Sequence, residues 1–354
     1  MKGLILSGGT GSRLRPLTYT SAKQLIPIAN RPLLHYAVES LVAAGITDIG
    51  MIVGDTAAEV EGAMGDGSQF GCSITYIPQP APLGLAHAVA TAREFLSEDP
   101  FLMYLGDNLL KGGVSAIVAA FLESDWDASV MLTPVPHPEQ FGVAVVDGQT
   151  IIRLIEKPKE PPSDLALVGV YLFRPVIHDA IATLKPSGRG EYEITDAIQT
   201  LIDQGRSVHA DFVQGWWKDT GRPEDVLDAN RLILEEIATS IAGEVDAESE
   251  ILGRVVVEPG ARVIRSTIRG PAVIGADALV EDSYVGPFTS IGPRVQVVHT
   301  EIEMSVVLAE AVLDSVPSRI DGSLIGRGAR VARRKRAPRS VALVLGDHSQ
   351  VEVL

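Results

Sequence analysis

The sequence predicts an α/β protein in which a doubly wound mixed sheet precedes a parallel β-helix. Up to Ser124, short apolar runs alternate with segments of helical spacing, as in βαβ folds. After about Ala242, aliphatic residues recur every six positions, in triplets. Since 354 residues exceed one ordinary domain, we predict two, covering residues 1–240 and 241–354.

The elements of the first domain follow in order. Gly3–Ser7 is a predicted buried strand, and the helix Pro32–Ala44 has Pro in its first turn and Gly45 at its end. The other predicted elements are the strands Asp48–Val53, Ile74–Ile77 and Phe101–Leu105, and the helices Ala57–Met64, Gly84–Leu96, Val114–Ser124, Ile194–Gln204 and Pro223–Ile237. From Asp127 to Phe212 strands outnumber helices, and a hairpin turns at Asp147-Gly148. Ligands of such sheets bind at the carboxyl ends of the strands.

The six-residue pattern of the C-terminal part predicts three short strands in each coil. The aliphatic positions are Ile251, Val257 and Val263, then Ile268, Ile274 and Val280, then Val285, Ile291 and Val297, then Ile302 and Leu308. Successive triplets start 17 residues apart, with turn pairs such as Pro259-Gly260 between strands. Because a Val-rich antiparallel sandwich would rarely keep this spacing, a parallel β-helix is favoured.

The most informative segment is LSGGTGSRLRPLTYTSAKQLIP, from Leu6 to Pro27. Its three glycines allow the backbone N–H groups to approach a phosphate chain, and its cations would add charge-assisted bonds. A dinucleotide loop would need a third glycine where Leu14 stands, and a P-loop would need a lysine directly after a glycine. We therefore predict a nucleoside triphosphate site; the alternative is a tight turn with solvated arginines.

Composition narrows the function classes. The formal net charge is −15, which argues against a general nucleic-acid binder. Cys72 is the single cysteine, so no internal disulfide forms, as suits a cytoplasmic protein. The apolar run after Met1 is too short for a signal peptide, and no membrane span is predicted. The basic run Arg327–Arg339 could be a nucleic-acid-binding tail, but given the overall acidity we expect a solvated turn before a last strand, Val341–Leu345.

Several further motifs follow the glycine loop in a fixed order. They are QPAPLGLAHA from Gln79, LGDN from Leu105, FGVAVV from Phe141, EKP from Glu156, GEYEITD from Gly190 and WKDTG from Trp217. With the loop, they resemble the sugar-1-phosphate nucleotidylyltransferases, specifically the glucose-1-phosphate thymidylyltransferases. The resemblance implies that dTTP and glucose 1-phosphate give dTDP-glucose and pyrophosphate. The C-terminal pattern resembles the left-handed, hexapeptide-repeat β-helix of long-form relatives.

The resemblance supports roles for residues that bind the nucleotide. Arg13 and Lys23 are expected to bind the triphosphate and the departing pyrophosphate. Gln79 is a base-pocket candidate because a side-chain amide can both donate to and accept from the imide edge of thymine or uracil. The complete predicted nucleotide set is Gly8, Gly9, Gly11, Gln24, Gln79, Gly84 and Asn108. Leu83 stands where many short-form relatives have Asp.

The remaining candidates concern a metal ion and the sugar phosphate. The resemblance implies that Asp107 and Asp219 hold Mg²⁺, for which two carboxylates completed by substrate phosphates are suitable ligands. Lys157 is expected at the sugar phosphate as a catalytic cation, and Glu156 at the sugar hydroxyls. Other sugar or phosphate contacts are assigned to Gly142, Leu167 and Arg189. Glu191 and Glu193 are expected to hold loops or to cap the following helix.

Alternatives remain at this stage. UTP or another hexose 1-phosphate could replace the expected substrates, because one methyl group is discriminated by only about 1–3 kcal/mol. A regulatory subunit would have lost catalytic residues, whereas Arg13, Lys23, Asp107, Lys157 and Asp219 are all present. An acyltransferase activity of the β-helix would rest on His299 alone. The flat faces of a β-helix lead us to expect a homo-oligomer.

Overall fold

The computed structural model describes residues 1–9, 11–19, 21–333 and 346–352. The chain forms two compact units. The first unit comprises Met1–Thr10, Ser21–Leu25 and Leu33–Asp219, and the second comprises Gly11–Thr20, Ile26–Pro32 and Thr220–Leu354. The predicted domain boundary after residue 240 stays a prediction. Residues 334–345, which hold the predicted strand Val341–Leu345 and much of the basic run, lie outside the described residues.

Among the described residues, thirteen strands precede the C-terminal repeats. They are β1 Lys2–Leu6, β2 Pro27–Ile28, β3 Arg31–Pro32, β4 Asp48–Val53, β5 Ser73–Pro78, β6 Phe101–Leu105, β7 Asn108–Leu110, β8 Ala128–Pro134, β9 Gly142–Asp147, β10 Thr150–Glu156, β11 Leu165–Phe173, β12 Val208–Phe212 and β13 Trp217–Asp219. Nine of them form one sheet in the order β5-β4-β1-β6-β11-β8-β12-β10-β9. The first four are parallel, and β11 runs antiparallel to β6, which confirms the predicted mixed sheet.

Helices cover both faces of this sheet. The α-helices are α1 Leu33–Ala43, α2 Ala57–Met64, α3 Leu85–Thr91, α4 Arg93–Leu96, α5 Ser115–Glu123, α6 Ile177–Ala182, α7 Ile194–Asp203 and α8 Pro223–Leu234. Short 3-10 helices lie at Ser12–Leu14, Leu17–Tyr19, Lys23–Leu25, Ser68–Phe70 and Pro138–Gln140. Alternation along β1 divides the apolar core: Leu4 and Leu6 pack in one cluster and Ile5 in the other. This burial on both faces is typical of a doubly wound fold.

One predicted helix is interrupted. The segment Gly84–Leu96 was predicted as a continuous helix, and the structure separates it into α3 and α4. Ala92 between them has φ −84° and ψ 4°, in the bridge region rather than the helical region. The amide of Ala92 still donates to the Ala88 carbonyl at 3.1 Å, and the Leu96 amide donates to the Ala92 carbonyl at 2.9 Å, so the change of backbone direction leaves this fully buried residue with both polar groups paired.

Where the structure describes the second unit, sixteen short strands form its C-terminal repeats. They are β14 Ser240–Ile241, β15 Glu244–Val245, β16 Glu250–Leu252, β17 Val255–Val257, β18 Arg262–Ile264, β19 Thr267–Arg269, β20 Ala272–Ile274, β21 Leu279–Glu281, β22 Tyr284–Val285, β23 Thr289–Ile291, β24 Gln296–Val298, β25 Glu301–Ile302, β26 Val306–Val307, β27 Val312–Asp314, β28 Leu324–Ile325 and β29 Arg330–Ala332. They stack in three parallel sheets, β14-β17-β20-β23-β26-β28, β15-β18-β21-β24-β27-β29 and β16-β19-β22-β25. This stacking is that of the predicted left-handed parallel β-helix.

The repeat positions stack as the spacing predicts until the fourth coil. There Val307, not Leu308, pairs with Ile291 and is buried. The corner between Ile302 and Val307 is one residue shorter than the six-residue spacing predicts, so the prediction for Leu308 was wrong. A later corner of the same coil is longer: Leu313 and Ile320 are seven residues apart, whereas the equivalent Val297 and Ile302 are five apart.

Candidate active site

A buried lysine lies among carboxylates at the carboxyl end of the central strands of the first unit. The Nζ atom of Lys23 is 2.5 Å from Oδ2 of Asp107 and 3.8 Å from Oδ1 of Asp219. Only 7% of the Lys23 side chain is exposed. Asp107 lies in the short turn between β6 and β7, and β13 pairs antiparallel with β7, which places Asp219 opposite Asn108. This long-range pairing brings the two predicted metal ligands to one ammonium group.

Two neighbouring side chains fix the orientation of the Asp107 carboxylate. Nδ2 of Asn108 donates to Oδ1 of Asp107 at 2.9 Å, and Nε1 of Trp217 donates to Oδ1 of Asn108 at 2.6 Å. With Lys23 on the other oxygen, both carboxylate oxygens of Asp107 have donors. Such a network restricts side-chain motion, so the site is preorganised.

The donor set fits a hard divalent cation bound jointly with a substrate. Within the described residues, no group of three or more His, Cys, Asp or Glu side chains could hold a metal ion. Asp107 and Asp219 supply hard oxygen ligands, and their negative charges are partly neutralised by Lys23. Two carboxylates with phosphate oxygens and water complete the kind of shell that such ions prefer.

The first two glycines of the loop lie beside two glutamine side chains. A β-carbon at Gly8 would be 3.5 Å from Oε1 of Gln79, and one at Gly9 would be 3.5 Å from Nε2 of Gln24. Gln24 is 2% exposed, and its Oε1 has no hydrogen-bond partner in the described part of the chain. The structure therefore brings together four of the predicted nucleotide contacts, with bare backbone facing polar amides.

The rest of the glycine loop belongs to the second unit. Gly11 has φ 60° and precedes the 3-10 helix Ser12–Leu14, on which the Arg13 side chain is exposed. The hydroxyl of Thr18 donates to the Gly11 carbonyl at 2.7 Å and holds the turn. The phosphate contacts assigned to Gly11 and Arg13 stay predictions.

Gly84 takes a conformation that other residues rarely adopt. Its φ is +103°, and a β-carbon there would be 2.5 Å from the Tyr192 carbonyl oxygen. The amide of Tyr192 donates to the Leu83 carbonyl at 2.8 Å, and the amide of Ala86 donates to the Tyr192 carbonyl at 3.0 Å. These bonds hold the Leu83-Gly84 turn beside Gln79, whose Nε2 is 3.4 Å from the Gly84 carbonyl oxygen.

The predicted sugar contacts meet around Glu156, the last residue of β10. Glu156 pairs with Gly142 on β9, and a β-carbon at Gly142 would be 3.2 Å from Oε2 of Glu156 and 3.6 Å from Cδ2 of Leu167. Lys157 has φ 40°, and its Nζ is 3.9 Å from Oε1 of Glu156. Thr195, which the sequence analysis missed, donates to Oε2 of Glu156 at 3.2 Å.

Arg189 is surrounded by three carboxylates. Its guanidinium nitrogens lie 3.0 Å from Glu156, 3.3 Å from Glu191 and 3.5 Å from Glu193. Glu193 also accepts a hydrogen bond from Ser187 at 2.8 Å and makes no helix-capping bond, so it holds the loop rather than capping α7. Burial raises the pKa of the Glu193 carboxyl. Glu156, Arg189 and Glu193 line a cavity of about 580 Å³.

The second unit offers little support for a separate acyltransferase site. His299 has φ 47° at an exposed corner of the β-helix, with Nδ1 3.8 Å from Asp282. Asp282 already accepts two bonds from Arg265, at 2.8 and 2.7 Å.

No helix in the described part of the chain is long and apolar enough to cross a membrane.

Comparison with known proteins identifies the family of the chain. Residues 2–236 match the family model described as nucleotidyl transferase. The chain belongs to this family. The nucleotidyltransferase is 52% identical, over its whole length and 99% of the relative, to a glucose-1-phosphate thymidylyltransferase of Streptomyces antibioticus. It is also 53% identical to the protein of that name from Streptomyces griseus, again over its whole length and 99% of the relative.

A third relative and a solved structure extend the comparison. The low-salt glycan biosynthesis nucleotidyltransferase of Haloferax volcanii is 48% identical, and the match covers all of both chains. A crystal structure titled as a glucose-1-phosphate thymidylyltransferase of Bacillus anthracis has a TM-score of 0.63 and 38% identity. That match covers 68% of this nucleotidyltransferase and 97% of the other chain.

Proposed function

We propose that this nucleotidyltransferase transfers the thymidylyl group of dTTP to glucose 1-phosphate. The observation that carries the proposal is the buried Lys23 between Asp107 and Asp219, since it joins a cation and two metal-binding carboxylates at one point. Relatives that match the whole chain are named for the same reaction. The products are dTDP-glucose and pyrophosphate.

In the proposed reaction, a phosphate oxygen of glucose 1-phosphate attacks the α-phosphorus of dTTP. A new P–O bond forms, the bond from the α-phosphorus to the bridging oxygen breaks, and its electron pair leaves with pyrophosphate. Because both reactants are polyanions, repulsion and leaving-group charge dominate the barrier. The enzyme therefore needs positioning and countercharge rather than a nucleophile of its own.

Four cationic side chains of the site each supply part of this countercharge. Lys23 and Arg13 bind the triphosphate and the developing pyrophosphate, while Lys157 and Arg189 bind the phosphate of the sugar. Mg²⁺ held by Asp107 and Asp219 would supply further positive charge to the reacting phosphates. Asn108 and Trp217 keep Asp107 in place through their hydrogen bonds.

Recognition of the substrates uses the two polar groups at the ends of the site. The Gln79 amide faces the pyrimidine, with the bare backbone of Gly8 and Gly84 beside it. Glu156 accepts hydrogen bonds from the sugar hydroxyls, and Gly142 and Leu167 contact the sugar beside it. Arg189 is paired with Glu156 at 3.0 Å. When the sugar hydroxyls bind to Glu156, Arg189 moves to the sugar phosphate.

We further propose a cytoplasmic enzyme that acts on small molecules and forms a homo-oligomer. Its substrates are dTTP and glucose 1-phosphate, and the charge of −15 disfavours nucleic acid as a partner. Light scattering of the full chain at working concentration tests the oligomer. A single monodisperse monomer would contradict that part of the proposal.

A pyrophosphate-release assay with glucose 1-phosphate tests the function. We expect Mg²⁺-dependent turnover that is faster with dTTP than with UTP, dCTP or purine triphosphates. Asp107→Asn is expected to lose turnover by about 10²-fold or more, because it removes a charged ligand. The matched control is Asp99→Asn, which removes an exposed carboxylate that pairs with Lys2 at 3.6 Å. Equal activity of the two variants, or no turnover with any nucleotide, would contradict the proposal.

A further inference from the structure

His87 lies on α3 and contacts the glutamine of the base pocket. Its Nδ1 atom is 2.8 Å from Nε2 of Gln79. The motif QPAPLGLAHA contains this histidine, yet the sequence alone gives it no role. The ring of His87 stacks on Tyr192, with centroids 6.3 Å apart and planes at 28°.

The Gly84 carbonyl decides which way the Gln79 amide points. A carbonyl oxygen can only accept, so the amide atom 3.4 Å from it is the NH₂ nitrogen. The same nitrogen faces Nδ1 of His87, which therefore accepts, and the neutral ring carries its proton on Nε2. Both hydrogens of the Gln79 amide are then engaged.

Oε1 is the group of Gln79 that remains for a ligand. It accepts no hydrogen bond from the described residues and lies over the bare backbone of Gly8. An amide oxygen accepts from the N3–H of thymine or uracil, whereas the unprotonated N3 of cytosine would face it with a second lone pair. A fixed amide therefore rejects cytosine by leaving a polar group unpaired.

We propose that His87 is a positioning residue that holds the Gln79 amide with its oxygen toward the imide N–H of a thymine or uracil base. This inference rests on the proposed function, because it takes the base to lie against Gln79. His87 itself does not touch the base; it acts through the amide. Without an acceptor at Nδ1, only the long 3.4 Å contact with the Gly84 carbonyl opposes rotation of the amide, which can then present its NH₂ group to N3 of cytosine.

The decisive measurement is the ratio of kcat/KM for dTTP to that for dCTP. His87→Phe keeps a ring beside Tyr192 and removes the acceptor, and we expect the ratio to fall about tenfold, the scale of one hydrogen bond. The change should lie in the KM for the nucleotide, with the KM for glucose 1-phosphate unchanged. His87→Asn, whose Oδ1 can replace Nδ1, should restore the ratio.

A control variant and a spectroscopic measurement separate this role from a structural one. His35→Phe alters a comparable histidine, which packs edge-on against Phe70 at 4.9 Å, and should leave the ratio unchanged. Nitrogen-15 NMR of the wild-type histidines should show the Nε2–H tautomer for His87. An Nδ1–H tautomer would overturn the proposal even if a variant failed to fold.

The outcomes also separate this inference from the proposed function. If the wild-type enzyme turns over no pyrimidine triphosphate, the proposed function fails. If the wild-type enzyme prefers dTTP and His87→Phe keeps the full preference, the role of His87 is wrong and the function stands. An equal loss with every nucleotide would also reject the positioning role.

Discussion

Two clusters of the first unit each surround a cation with carboxylates, and the two cations, Lys23 and Arg189, differ in burial. The Lys23 side chain is 7% exposed, whereas that of Arg189 is 42% exposed. A buried charge in fixed contacts acts strongly on a developing charge and costs no reorganisation. An exposed ion pair contributes little and exchanges partners readily. From this comparison we propose that the chemical step depends on the Lys23 cluster and that substrate exchange depends on the Arg189 cluster.

The largest effect is expected at the buried cluster. Lys23→Met should lower kcat by roughly 10²–10³-fold, because it removes preorganised positive charge and leaves Asp107 and Asp219 facing the phosphates. Single-turnover kinetics at saturating substrate measure the chemical step directly. The control, Lys185→Met, removes an exposed lysine and should retain wild-type turnover. An effect of Lys23→Met confined to KM would contradict the comparison.

A smaller effect is expected at the exposed cluster. Arg189→Gln should raise the KM for glucose 1-phosphate about tenfold and change kcat by only a few-fold, since the lost contact is a charge-assisted bond to a bound phosphate. Arg206→Gln is the control, because Arg206 is 50% exposed and pairs only loosely with Asp127, at 3.7 Å. If Arg189→Gln lowered kcat strongly and left the KM for glucose 1-phosphate unchanged, the division between chemical step and substrate exchange would be wrong.

Salt should distinguish the clusters further. Raising the ionic strength from roughly 0.05 to 0.5 M shortens the screening length severalfold and weakens exposed charges most. We expect the KM for glucose 1-phosphate to rise a few-fold in the wild-type enzyme and less in Arg189→Gln. The kcat of both should change little. If instead kcat depended on salt and the KM for glucose 1-phosphate stayed constant, the roles proposed for the two clusters would be reversed.

The smallest expected effect concerns Glu193, a buried carboxylate beside the exposed Arg189. Burial raises its pKa, so the folded state binds its proton more tightly than the unfolded state does. Its contribution to stability therefore declines as the pH rises from the ordinary carboxyl pKa through the raised one. Urea unfolding across this window should show Glu193→Gln gaining stability relative to wild type as pH rises.

A matched variant completes that measurement. Glu191→Gln removes an exposed carboxylate that pairs with the same arginine at 3.3 Å. It controls for the loss of an ion pair without the loss of a buried charge. If Glu193→Gln instead lost stability relative to wild type with rising pH, the burial argument for Glu193 would be wrong.

Much of the fold could be predicted because its periodicities are local. Asp48–Val53 and Ala57–Met64 begin and end as predicted, and the hairpin turns at Asp147-Gly148. The break at Ala92 and the short corner before Val307 could not be predicted. Neither irregularity alters the composition or the apolar spacing of its segment enough to be predicted from the sequence.

The site was predicted only in part, for a related reason. Asp107 and Asp219 meet through the pairing of β7 with β13, a contact between distant segments that only the resemblance implied. His87 and Thr195 were missed because their roles depend on hydrogen bonds to Gln79 and Glu156 rather than on any motif spacing. The available signal was that each lies inside a motif, His87 in QPAPLGLAHA and Thr195 in GEYEITD.

The unequal corners of the β-helix have a consequence for engineering this enzyme. Strand stacking continues past both Val307 and Ile320, although one corner of this coil is shortened and another is lengthened. Length variation is thus absorbed outside the stacked strands, and the longer corner between Leu313 and Ile320 is a natural position for grafting a peptide tag or a foreign loop. Such a graft would leave the apolar interior of the coils intact.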